Sequence, residues 1–160
     1  MKAISISIGL AVACACFCLP QATGSPGASS WGDSVQGVRM SISMAKTVVQ
    51  TGSSSTVEAV TKNSSTRAVT VDTSAPVVDY DVVLRSAGGE THHLITLSAL
   101  LLPQRLVSIA PGAEDTASIP VTFTKDIKPG SYTLYATRTF TLDGHDFLLK
   151  SNSIKVKIIN

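Results

Sequence analysis

Cysteine is missing from everything after residue 18: the chain has three, Cys14, Cys16 and Cys18, all inside its first apolar segment. Loss of that segment would leave no disulfide, no thiolate metal site and no cysteine nucleophile. Charge is scarce as well, at 15% of residues, with 13 basic against 11 acidic over 160 positions. So even a balance gives no electrostatic case for nucleic acid. Aromatic residues make up only 5%, with a single tryptophan, so aliphatic side chains must supply most of the core. No long stretch repeats apolar residues at helical spacing; the nearest, Leu97–Leu106, is interrupted by Pro103. What remains is a chain of one ordinary domain with an appendage, 44% hydrophobic and therefore not disordered.

The appendage is N-terminal. Met1-Lys2 precedes an apolar run from Ala3 to Leu19 that Pro20 closes, and Ala22 and Gly24 frame a cleavage point after Gly24. One basic residue, a compact apolar stretch and small residues form the pattern of a secretory signal over residues 1–24. A retained anchor is the alternative, although the run is slightly short for a span. Leu10-Ala11-Val12-Ala13-Cys14 also loosely resembles a lipoprotein signal with Cys14 as the acceptor, Ala11 standing where a larger aliphatic residue is usual. Cleavage removes Lys2 and leaves 12 basic against 11 acidic residues, so steering toward a polyanion is not expected. The expected location is secreted or periplasmic, with a lipid anchor in the envelope as the alternative, and no membrane-spanning segment once the signal is gone.

Residues 25–36 are rich in small and turn-forming residues and read as a flexible lead-in, with Trp31 packed on the domain. Residues 37–160 then alternate with period two. Val38, Met40, Ile42 and Met44 form one inward set, Val78, Tyr80, Val82 and Leu84 another, and Ala117, Ile119, Val121 and Phe123 a third. Tyr132, Leu134, Ala136 and Phe140 alternate mainly with threonines, and Ile154, Val156 and Ile158 alternate with Lys155 and Lys157. Thr56–Lys62, Ala68–Asp72 and Thr91–Leu97 are further candidates, and Asp143-Gly144 signals a hairpin into His145–Lys150. Pro120 demotes its strand to an edge, and the two lysines suit an edge for the terminal strand. The pattern predicts an all-β, antiparallel β-sandwich of seven to eight strands.

Ile127-Lys128-Pro129-Gly130-Ser131-Tyr132-Thr133-Leu134 resembles the corner of bacterial extracellular immunoglobulin-like domains, a proline-glycine turn and spacer before a tyrosine that opens the penultimate strand. Ala110-Pro111-Gly112 and Lys62-Asn63-Ser64-Ser65 fit the same layout. The layout is also similar to that of bacterial proteinase-inhibitor-like domains of this type, through Tyr80–Arg85 and the same corner. The resemblance implies an immunoglobulin-like sandwich over about residues 38–159. A secretory signal departs from the intracellular inhibitors of that group.

Catalytic chemistry finds no support. His92 and His93 are adjacent on a predicted strand, point to opposite faces and make poor co-ligands, and His145-Asp146 follows a turn. No metal or other cofactor site is expected. Asp79 and Asp81 would share one strand face, read as solvated, and Glu114-Asp115 reads as an exposed loop pair. No Gly-x-Ser-x-Gly elbow or phosphate-cradling glycine loop is present. Asn63-Ser64-Ser65 matches a glycosylation acceptor in form only. The most unusual segment is Leu97–Ser108, which concentrates leucine around Pro103. Leu100, Leu101, Leu102, Pro103, Gln104 and Arg105 are either a buried cap on the end of the sandwich or an exposed loop that docks a protein partner. The expectation is a secreted, non-enzymatic binding module. The alternatives are a protease inhibitor acting through Leu97–Ser108 and an envelope or pilus subunit assembled by strand addition.

Overall fold

Alternation decides which side of each strand is buried, and in the computed structural model, which describes residues 31–95 and 105–160, two antiparallel-rich sheets result. The strands in chain order are β1 (Val38–Met44), β2 (Val48–Gln50), β3 (Ser54–Asn63), β4 (Val69–Asp72), β5 (Tyr80–Ser86), β6 (Thr91–His93), β7 (Leu106–Ile109), β8 (Glu114–Thr122), β9 (Gly130–Leu142), β10 (His145–Lys150) and β11 (Ile154–Ile159). A single helical turn, α1 (Pro76–Asp79), precedes β5. One sheet has the order β1-β3-β8. The other is built around β9, which pairs with β11 and β10 and also with β5 and β4, while β2, β6 and β7 lie outside β11, β5 and β4. The architecture is thus all-β and sandwich-like, with two sheets and not a closed barrel.

The inward sets meet in one core. Met40, Ile42 and Ile119 from one sheet, with Phe123 just after β8, pack with Leu84, Leu134, Phe140, Leu149 and Ile158 from the other, all essentially inaccessible to water. Each such side chain contributes roughly 1.5–3 kcal/mol by burial. Phe140 stacks on Phe147 with ring centroids 5.4 Å apart. Asp143 (φ +54°) and Gly144 (φ +77°) both take left-handed backbone and form the two-residue turn joining β9 to β10, a conformation that glycine and aspartate tolerate best. Tyr132 is buried and its hydroxyl donates to the Lys128 carbonyl at 2.7 Å, tying the proline-glycine corner to the strand it opens.

Several local expectations change. Val48–Gln50 and Leu106–Ile109 are strands too short to reveal a period, which raises the number above the seven to eight expected. Because β2 pairs in parallel with β11, the terminal strand lies between β9 and β2 and is not an edge. Pro120 does sit on an edge strand, β8. Val78 is not an inward strand residue: Pro76 presets the first helical φ, α1 forms, and Val78 projects outward, 46% exposed. Asp79 therefore lies on α1 and Asp81 on β5, and the two do not share a strand face.

Residues 31–36 are tied to the domain. Gly32 N–H donates to the Met40 carbonyl at 2.9 Å, and the Arg39 guanidinium lies 4.7 Å from the Trp31 ring centroid. A Cβ at Gly32 would sit 2.1 Å from the Lys150 carbonyl oxygen, so only glycine permits this approach. Asn63 is fully buried. Its amide donates to the carbonyls of Arg67 (2.7 Å) and Ile109 (2.9 Å), and its oxygen accepts from the N–H and hydroxyl of Ser65 (3.0 and 2.7 Å). The acceptor-like tripeptide is a structural joint between β3, the β3–β4 turn and β7.

Candidate functional site

Unbroken alternation along β9 places Arg138 on the inward side, between Ala136 and Phe140, where it is only 3% exposed. A guanidinium there must be paired. Its Nη1 donates to the Asp115 carboxylate (2.6 Å), the Tyr80 hydroxyl (2.8 Å) and Thr61 Oγ1 (3.2 Å), and its Nη2 donates to the Asp72 carbonyl (2.7 Å). The guanidinium carbon also lies 4.6 Å from the Tyr80 ring centroid. Five strands, β3, β4, β5, β8 and β9, converge on this one side chain. Asp115 is accordingly not a loop residue: it is on β8, with Glu114 beside it pairing with Lys62 at 2.8 Å.

Asp79 borders this centre. Burial and the neighbouring Asp72 charge raise its carboxyl above the usual range, against the opposing pull of Arg138. Burial likewise raises the Tyr80 phenol. A carboxyl with a raised folded value is destabilising when ionised, so Asp79→Asn is expected to raise the melting temperature slightly at pH 7. That gain should shrink to nothing as pH falls below the unfolded value near 3.8. Thermal melts of both proteins between pH 3 and pH 8 would check it, and a gain that persists at the acid end would refute it.

Outside Arg138 lies a cleft of about 500 Å³ between α1, β5, β9 and β10. Register assembles it: Asp81 faces Thr137, Leu148 faces Thr139, and His93 on β6 faces Val83. His93 Nδ1 lies 2.7 Å from Asp81 Oδ1, so the two form a bonded pair on its wall. Val78 and Leu148 bring exposed apolar surface, Leu148 at 65%. The cleft wall thus combines two exposed apolar side chains, a paired acid and imidazole, and two threonines. His92 faces the other way, edge-on to Tyr132 at 6.2 Å, as adjacent strand residues must. No group of three or more potential metal ligands occurs among the described residues.

The leucine-rich segment contributes little that can be placed. Leu100, Leu101, Leu102, Pro103 and Gln104 lie outside the described residues. Arg105 is exposed, with its N–H bonded to Ser74 Oγ (2.9 Å) and its carbonyl accepting from Thr73 N–H (2.8 Å), which fixes its backbone beside β4. Neither Arg138 nor the cleft is among the sequence-based candidates. A legible signal exists for the first: an arginine in an otherwise apolar inward register. The cleft depends on cross-strand register, which no local pattern encodes.

No protein-family model matches the chain, and no curated protein sequence matches it significantly. Solved structures are similar to it at low identity. The C-terminal domain of wzt is 11% identical with a TM-score of 0.50, over 81% of this chain and 77% of that one. The sporulation control protein Spo0M from Bacillus subtilis is 12% identical, TM-score 0.49, over 78% of this chain and 50% of that one. A mutant β-glucosidase from Listeria innocua, in complex with laminaribiose, is 15% identical, TM-score 0.47, over 77% of this chain; the chain spans only 16% of that enzyme's length. The likeness to the wzt domain shows a shared fold and nothing about activity.

Proposed function

We propose that this protein is a secreted or periplasmic, non-enzymatic binding module of immunoglobulin-like type that engages a protein partner through the cleft between α1, β5, β9 and β10. The observation that carries the reading is the exposure of Val78 and Leu148 in the same cleft wall as the Asp81–His93 pair. Apolar anchors beside a satisfied polar pair are what a protein partner desolvates on docking. Arg138, the most strongly polar group nearby, is committed to holding strands together and supplies structure, not chemistry. The immunoglobulin-like assignment draws support from the β1-β3-β8 sheet, the parallel β2–β11 pair on the opposing sheet, and the Tyr132 corner. The N-terminal segment supports the location.

A photoreactive side chain at position 148, in protein exposed to the source cell's envelope and extracellular fractions, is expected to give a discrete protein adduct. The same group at Glu58, on the opposite sheet, should give none. Leu148→Asp should then weaken binding of the purified adduct partner by at least about tenfold, the loss of a typical anchor. Equal labelling from both positions, or affinity unchanged by Leu148→Asp, would overturn the reading.

A further inference from the structure

The acids and bases of this chain nearly cancel in number, yet three cations gather at one end of the outer face of the sheet built around β9, while Lys150 shares a row with Thr137 and Asp81 and lies 4.1 Å from the Tyr135 ring. Arg85 and Lys155 both face Thr133, one from each side, and Thr91 faces Arg85. One row across β6, β5, β9 and β11 therefore reads Thr91, Arg85, Thr133, Lys155. Lys157 stands in the next row beside Ser131. At ordinary sheet spacings Arg85 and Lys155 are about 10 Å apart and Lys155 and Lys157 about 7 Å. All three cations are exposed, and none forms an ion pair among the described residues; Lys155 Nζ donates to Thr133 Oγ1 at 2.9 Å. The acids on the same face are elsewhere: Asp81, opposite Thr137, is bonded to His93, and Asp146, opposite Thr141, accepts from that threonine's hydroxyl. Glu90, in the β5–β6 turn, lies 3.6 Å from the inward-facing His92.

We infer that the outer face of β5, β9 and β11, centred on Arg85, Lys155 and Lys157, is a docking surface for a linear acidic polysaccharide, a site separate from the cleft. Charge complementarity calls for an anion, and three cations at these spacings suit repeated negative groups better than a single one. The alternation of hydroxyl and cation along one row matches a polymer that itself alternates hydroxyls and carboxylates, as uronic-acid chains do. An anionic bilayer fits less well. Among the neighbours of the cation group, exposed apolar side chains, Val48 and Ile159, stand only at the β2–β11 side, whereas the centre is hydroxylated. The surface is open to solvent, so its attraction depends on salt.

The test is binding of the purified full domain to polygalacturonate at low ionic strength, with neutral dextran and phosphatidylglycerol vesicles as parallel probes. Binding to polygalacturonate is expected, with log K falling linearly against log salt, and dextran should not bind. Neutralising the triad as Arg85→Gln/Lys155→Gln/Lys157→Gln should lower affinity more than tenfold and flatten the salt slope by about 2–3, a little under one for each cation removed, by analogy with other polyanions. Lys62→Gln, on the opposite sheet, should leave both unchanged. The replaced side chains are exposed, and an unaltered melting temperature would show that the fold is kept. No binding to polygalacturonate, equal binding by the triple variant, or tighter binding to vesicles than to polygalacturonate would each overturn the inference, without bearing on whether Leu148 contacts a protein.

Discussion

Arg138→Met is expected to destabilise the fold by about 3–5 kcal/mol, the usual consequence of removing one member of a buried ion pair. Methionine fills a similar volume, so the loss is electrostatic and not a cavity effect. It leaves the Tyr80 hydroxyl, the Asp72 carbonyl and the Asp115 carboxylate without the donors they have now. Asp115 keeps some water access, its side chain being 22% exposed, so most of the cost falls on the groups buried deeper. In urea the midpoint should fall by about 2 M with an unchanged slope. Adding Asp115→Leu to Arg138→Met should recover more than about 1 kcal/mol, because the unpaired charge goes with it. A loss under about 1 kcal/mol for the single variant would show that the five strands do not depend on this side chain. Arg138→Lys should fare nearly as badly as methionine, since one ammonium cannot reproduce a fork that reaches Asp115, Tyr80 and Asp72 together.

Asn63→Ala is expected to cost about 2–4 kcal/mol, because two carbonyls that accept from Asn63, those of Arg67 and Ile109, lose their donor in a buried site. Asn63→Asp is the sharper probe. A carboxylate facing the same two carbonyl oxygens repels them, so at pH 7 the aspartate should be worse than the alanine. Protonation restores one donor, and folding favours the protonated form, so stability should recover as pH falls through the carboxylate range and be lost again as it rises. Urea titrations at pH 4 and pH 7 would decide it. Equal stability of Asn63→Asp at both would mean that the amide hydrogens are not what the site requires. The same geometry makes attachment of a glycan at Asn63 incompatible with the native fold, since Nδ2 is already bonded twice inside the protein.

Legibility tracks the length of each pattern. The long strands β1, β3, β8 and β9 repeat their period often enough to be read, and Asp143-Gly144 announces its hairpin because few other pairs accept two positive φ values. Three or four residues carry no period, so Val48–Gln50 leaves no trace in the sequence and the terminal strand resembles an edge. Val78 extends the alternation of Tyr80, Val82 and Leu84 on paper, but the proline two positions earlier outweighs two apolar residues and winds a helical turn. Arg138 stands in the inward register of β9, and a search that follows only apolar residues steps over it. The cleft and the cationic row are different in kind. Asp81 meets His93, and Arg85 lines up with Lys155, only through pairings between distant segments, and a net charge near zero conceals any separation of its parts.

The parallel pairing of Val48–Gln50 with Lys157–Ile159 has a mechanical consequence. Strand β1 runs alongside the final segment in the same sense, through the Met40–Ser151 bridge and the bonds between Ile42 and Asn152. A pull applied upstream of Trp31 and at Asn160 would slide these segments past each other lengthwise. Their hydrogen bonds would then carry the load together, in shear, instead of opening one after another as in a hairpin peeled from its end. Stretching between the two ends is therefore opposed by bonds that must break together, so resistance to a pull is set by their simultaneous rupture and not by thermodynamic stability alone.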